Sequence, residues 1–194
     1  MKSLFLFVLV VIAVCLPGCK ENRIPNVSEP QLLEMRSTAI EFMKELKGIL
    51  IKEIQKGSVL NAVSICSDTA QMLTNNFGLQ KGIFVKRVSF NNRNSNNFPD
   101  EYEKKILNRF SAMHNDGKLD QTTESIEIVE GGAMYLRYMK PILIQAECLN
   151  CHGSGTQISP EIKKLISEKY PNDKAINYKV GDLRGAVSIK KVIE

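Results

Sequence analysis

Ser125-Ile126-Glu127-Ile128-Val129 alternates apolar and polar side chains, runs into Gly131-Gly132, and resumes as the apolar-rich stretch 133–144. A period of two marks a half-buried strand, and two such runs joined at a glycine turn make an antiparallel hairpin. Stretch 133–144 supplies one strand or two, with a break expected near Pro141. Two more strand candidates lie outside the hairpin. Stretch 83–90 places Phe84, Val88 and Phe90 on alternate positions, and 185–193 is a final strand. Helical periodicity frames them. In 29–56, Leu32, Met35, Ala39, Phe42, Met43, Leu46, Ile49 and Leu50 recur at three- and four-residue steps, and Gly57 stops the run. Ser58 caps a second helix that runs to about Asn76 and is closed by Gly78, with Val59, Ala62, Cys66, Leu73 and Phe77 on its apolar face. A third helix covers 100–115, with Ile106, Leu107 and Phe110 apolar. A short one covers 159–170, opened by Pro160 and stopped by Pro171. There is no internal repeat. The pattern predicts an α+β domain: an antiparallel sheet, long N-terminal helices, and small helices at the edges.

The 194 residues are 43% hydrophobic and 24% charged, which excludes disordered and low-complexity classes and fits one domain. The net charge of +5 is spread along the chain, with no basic run to bind nucleic acid.

The N-terminus reads as an address. Met1 and Lys2 precede an apolar run over 4–16, shorter than the roughly 20 residues a membrane-spanning helix needs, so it fits the core of a secretory signal. Leu16-Pro17-Gly18-Cys19 resembles the bacterial lipoprotein signal, in which the cysteine is lipidated and becomes the first mature residue. On that reading 1–18 is the signal, Cys19 carries the lipid, 19–28 is a flexible tether, and 29–194 is the folded domain. The mature chain then faces the periplasm on a lipid anchor, and Lys20, in place of an acidic residue, points to the outer membrane. Cys66, Cys148 and Cys151 remain, an odd number in an oxidising compartment, where an unpaired cysteine asks for an explanation.

Cys148-Leu149-Asn150-Cys151-His152 supplies the chemistry. C-x-x-C-H is the attachment pattern of c-type haem. Two thiols three positions apart each add to one of the two haem vinyl groups, and the adjacent histidine coordinates iron as proximal ligand. One such motif predicts one covalent haem, made outside the cytoplasm, in agreement with the export signal. A redox-active C-x-x-C would want a βαβ context, a structural zinc would want two more ligands, and a plain disulfide is the third rival. For a second axial ligand the chain offers His114, which reads as a surface residue near a helix end. It also offers Met72, Met113, Met134 and Met139, which read as core packing, and Cys66, whose thiolate is a strong iron ligand.

Several segments, in this order and spacing, resemble the Tll0287-like haem domain, also called the DUF3365 family. They are Asn61-Ala62-Val63-Ser64-Ile65-Cys66, Arg87-Val88-Ser89, Arg93-Asn94, Phe98-Pro99-Asp100 with Glu103, and Tyr138-Met139-Lys140-Pro141-Ile142. The motif at 148–153, Gly181-Asp182 and Gly185-Ala186-Val187-Ser188 complete the pattern. The resemblance covers roughly 35–192, with Ser95 standing where many members carry proline. It implies a PAS-like fold holding one covalent haem c, with His152 and Cys66 as the axial pair. Arg87 and Arg93 are the expected partners of the haem propionates, because a guanidinium pairs bidentately with a carboxylate.

The function expected is electron transfer or redox and gas sensing through a low-potential haem, with an unidentified redox protein and a small gas ligand as partners. Electron transfer ranks ahead of signalling because no output module follows residue 194. The rival class is a haem enzyme of peroxidase or gas-reducing type, which needs an open sixth site and a distal acid–base group; His114 is the histidine on offer.

Overall fold

The computed structural model describes residues 25–193, without the side chains of Cys66 and Asp68. The expected signal 1–18, the lipidation site Cys19 and the first part of the tether lie outside the described residues. Among the described residues no helix is long and apolar enough to cross a membrane.

Helix α1 is Glu29–Lys56, with the bounds the periodicity sets, and Ser28 with Gln31 forms its capping box. Helix α2 is Val59–Lys81, capped by the Ser58 side chain on the Asn61 amide. It continues past the expected stop at Gly78. The terminator is instead Gly82, whose φ of 64° is the left-handed cap that glycine takes at no steric cost. Gly78 sits inside the last turns, where the Ile83 carbonyl passes too close for a side chain. Strand β1 is Phe84–Val88, α3 is Glu101–Asn115, β2 is Ser125–Glu130 and β3 is Met134–Leu143. The motif helix α4 is Leu149–His152, α5 is Pro160–Lys169 and β4 is Leu183–Ile193.

The four strands are antiparallel throughout, in the order β1-β4-β3-β2. The hairpin joins β2 to β3 with Ser125 opposite Met139 and Glu130 opposite Met134. The expected break at Pro141 does not occur, and Pro141 pairs with Ala186 inside a continuous β3. Past Met139 strand β2 no longer accompanies β3, so Pro141 stands where one edge is open and a missing N–H does no harm. The ladder between β3 and β4 slips at its far end. Ile142 faces Gly185 and Leu143 faces Leu183, leaving Arg184 opposite no residue.

The two faces of the sheet are covered separately. On one, Met35, Ala39 and Phe42 of α1 and Phe77 of α2 pack on Leu136, Tyr138, Val187 and Ile189. On the other, Ile106, Leu107 and Phe110 of α3 pack on Val88, Met139 and Ala186. Each large side chain buried this fully is worth about 1.5–3 kcal/mol against solvent exposure. Arg36 of α1 grips Glu124, which also accepts the Tyr138 hydroxyl at 2.7 Å, locking α1 to the hairpin.

Candidate functional site

The motif follows β3 through a 3-10 turn at Ala146–Cys148 and one turn of helix, α4. In that turn the Cys148 sulfur accepts the Gln145 amide at 3.4 Å. Helical spacing brings Cys148 and Cys151 one turn apart with His152 beside them. A remote segment straps this turn down. The amides of Asn177 and Tyr178 donate to the carbonyls of Gly153 and His152 at 2.8 and 2.9 Å. Arg93 completes the strap: its Nη2 donates to the Cys151 carbonyl at 2.6 Å and the Ala175 carbonyl at 3.2 Å, and its Nε donates to Asp173 at 3.2 Å. Asp173 in turn accepts the Ala175 amide at 2.8 Å.

His152 is oriented by one contact. Its Nδ1 lies 2.7 Å from the Ala175 carbonyl oxygen. A carbonyl only accepts, so Nδ1 carries the proton and the Nε2 lone pair remains for another partner. The ring meets Tyr178 edge-on, with centroids 6.3 Å apart. Burial, and after it the positive charges of Arg93, Arg184 and Arg87, push the His152 pKa down to about 3, so the imidazole is neutral at physiological pH. A neutral imidazole with one nitrogen tied to a backbone carbonyl is the form that ligates metals.

The motif forms one wall of a cavity of about 740 Å³, within the range of cofactor sites. Ile40 and Met43 of α1 and Ala62, Val63, Ala70 and Leu73 of α2 give it apolar walls, and the ends of β1, β3 and β4 close it. The backbone of Cys66 lies one helical turn after Ala62 and Val63 and one turn before Thr69 and Ala70, all of which line the cavity. The inward direction expected for the Cys66 side chain lies outside what is described. The charged lining is one-sided: Lys44, Lys47, Arg87, Arg93, Lys140 and Arg184, with Glu147 the one carboxylate among the described lining residues. Glu147 is itself paired with Lys47 at 2.6 Å, tying α1 to the turn before the motif.

The other candidate ligands stand elsewhere. Met139 is fully buried under α3, Met113 and Met134 pack against the two cores, and Met72 is 54% exposed; none lines the cavity. His114, expected as a surface residue near a helix end, is half-buried there, with its Nε2 3.0 Å from the Gly181 carbonyl in an exposed contact. It does not line the cavity either, which leaves the rival enzyme class without its acid–base group there. Sequence reasoning missed Arg184, Asp173 and Ala175, since the contact between Ala175 and His152 spans 23 positions and involves only a backbone carbonyl.

The family described as Tll0287-like matches residues 25–191. The chain belongs to the Tll0287-like family. Among solved structures it resembles the crystal structure of the cyanobacterial heme-protein Tll0287, at 26% identity and a TM-score of 0.61, over 86% of this chain and 98% of that one. None of the curated proteins matches. Against this Tll0287-like frame, the quoted segments fall into two groups. Arg87, Arg93, the motif and Gly185 surround the cavity, whereas Asp100 and Glu103 belong to the opposite face of the sheet.

The donor set fits a haem. Two thiol-bearing residues and an oriented imidazole share a wall, the facing walls are apolar, and cationic residues are available for acid groups. The competing uses of the motif fit less well. A thioredoxin-like C-x-x-C needs a parallel βαβ setting, and this sheet is antiparallel throughout. Zinc would need two ligands beyond the motif cysteines, and among the described residues, which leave out the Cys66 side chain, no three His, Cys, Asp or Glu side chains gather as a metal site.

Proposed function

We propose that this chain is an extracytoplasmic lipoprotein carrying one covalent haem c, acting in electron transfer or redox and gas sensing. The hydrogen bond from His152 Nδ1 to the Ala175 carbonyl at 2.7 Å carries this reading, because it leaves Nε2 as a ligand beside both motif cysteines. Cys148 and Cys151 bind the two vinyl groups and fix the cofactor in a domain that leaves the cavity partly open. His152 is the proximal ligand. Cys66, whose backbone lies between cavity-lining turns of α2, would supply the second ligand, and the two helices with the sheet would form a PAS-like cradle. Arg87 supplies positive charge for the propionates. Arg93, expected in the same role, also donates to the Cys151 and Ala175 carbonyls and so holds the motif in place.

A haem bound there supplies one-electron ferric–ferrous chemistry. An anionic Cys66 thiolate favours the ferric form and sets a low potential, and binding to iron keeps that thiol deprotonated. A Cys66 thiol that takes a proton and withdraws opens its side of the cavity to a small gas. Cys19 carries the lipid that holds the domain at the periplasmic face of the outer membrane.

The test is expression with the haem c maturation machinery, followed by haem staining of a denaturing gel. The full chain stains and Cys148→Ala/Cys151→Ala does not; an unstained full chain contradicts the reading. Carbon monoxide then divides the two roles. A ferrous spectrum that ignores it points to electron transfer, and one that shifts points to sensing.

A further inference from the structure

Arg184 sits at the irregularity between β3 and β4, where it has no residue opposite. An extra residue of this kind bends the strand and re-aims a side chain, and such bulges recur next to functional sites. The bulge is built in by Gly185. Its φ is 150°, and a side chain there would collide with the Val88 carbonyl. The outcome is an arginine in the cavity wall.

Once there, Arg184 is poorly compensated. Its Nη1 donates to the Asn91 carbonyl at 3.0 Å, and its guanidinium lies 5.5 Å from the centroid of the Tyr178 ring, the same ring that meets His152 edge-on. A guanidinium has five N–H donors. Among the described residues no carboxylate pairs with Arg184; Asp173, its nearest acidic influence, is committed to Arg93 at 3.1 Å. Burial, opposed in part by Tyr178 and reinforced by Arg93 and Arg87, pulls the Arg184 pKa below its usual value. A half-buried cation beside like charges is costly unless an anion joins it.

We propose that Arg184 is a carboxylate-binding residue of the cavity and holds a propionate of the bound haem. Its contacts are with neutral groups, the Asn91 carbonyl and the Tyr178 ring, whereas Arg93 in the same cavity already meets Asp173. The proposal rests on the haem reading above. It adds a residue which that reading did not include and gives the bulge at Gly185 a purpose.

The test compares matured wild type, R184K and R184Q by haem staining, thermal unfolding, and the midpoint potential as a function of pH. Removing the guanidinium leaves its carboxylate partner uncompensated near the iron and raises that acid's pKa. R184Q therefore shifts to a lower potential and gains a pH-dependent segment that wild type lacks, whereas R184K keeps the charge and stays close to wild type. R184M carries the same comparison if R184Q fails to accumulate. A stained R184Q whose potential and pH profile superimpose on wild type overturns the Arg184 assignment alone. R184K shifting as far as R184Q also overturns it, because the effect would then be packing against Tyr178. An unstained wild type overturns the haem reading itself, and no potential is measured.

Discussion

Two groups of arginines lie against this sheet, and they are finished differently. On the α3 face, Arg137 has a side chain 10% exposed and meets Asp100 at 3.0 Å and Glu103 at 3.5 Å. Glu103, 1% exposed, also takes Lys86 at 2.9 Å. The Tyr102 ring lies 4.4 Å from the Arg137 guanidinium, and Asp100 and Glu103 cap α3 reciprocally at 2.8 Å each way. Each of these charges has a partner of opposite sign within the chain, although the buried Arg137 Nε makes no hydrogen bond among the described residues. On the α1–α2 face, Arg87, Arg93 and Arg184 surround His152, and Asp173 answers Arg93. A buried ionic cluster survives when complete, because desolvation is repaid by close partners and satisfied hydrogen bonds. The α3 face is therefore scaffold, while the cavity face is arranged around charge that a ligand brings.

The contrast can be broken most severely at Glu103. Glu103→Ala leaves Lys86 without its carboxylate and Arg137 with Asp100 alone, and should cost about 3–5 kcal/mol, the penalty for removing one member of a buried pair. That is roughly 6–20 °C in melting temperature for a chain of this size. A loss below about 1 kcal/mol in denaturant unfolding would show that the α3 network is not closed. Gly185→Ala comes next, at about 1–3 kcal/mol, because it forces a side chain into positive-φ backbone against the Val88 carbonyl. Differential scanning calorimetry of the two variants should preserve this order.

Acid gives a third, milder handle. The Arg36 guanidinium, aided by the Tyr138 hydroxyl, holds the Glu124 carboxyl below its usual range. Its contribution to stability is therefore present above the unfolded carboxylate value. It is lost as pH falls through the lower, folded value. Glu124→Gln should lose stability at neutral pH and show a shallower acid decline; an unchanged acid limb would remove Glu124 from the account. The smallest effect is expected at Arg184. In protein made without haem, R184M should unfold within about 0.5 kcal/mol of wild type or above it, because the charge removed has no anion. Arg137→Met should lose clearly more, and equal losses would erase the distinction between the faces.

Local chemistry made much of the architecture legible. The period-two hairpin, the helical stripe of α1, the cap Ser58 and Pro160 at a helix start each act within a few residues of themselves. The misreadings come from tertiary demands. Gly78 is a glycine because the Ile83 carbonyl passes close by, and Pro141 is tolerated because β2 has already ended. The site divides the same way. The motif announces itself by spacing. Its orienting partner is a backbone carbonyl at Ala175 with no side-chain signal, and Arg184 reaches the cavity through a bulge that no periodicity encodes. The methionines at 113, 134 and 139 pack against the cores as their pattern suggests, whereas Met72, read the same way, is exposed.

The central claim is a haem held between His152 and Cys66. Electron paramagnetic resonance of the matured ferric protein, beside its Cys66→Ala variant, tests it most directly. The account predicts a low-spin thiolate-ligated signal in wild type that is lost in the variant. A high-spin, five-coordinate wild type, or a variant indistinguishable from it, would contradict the account.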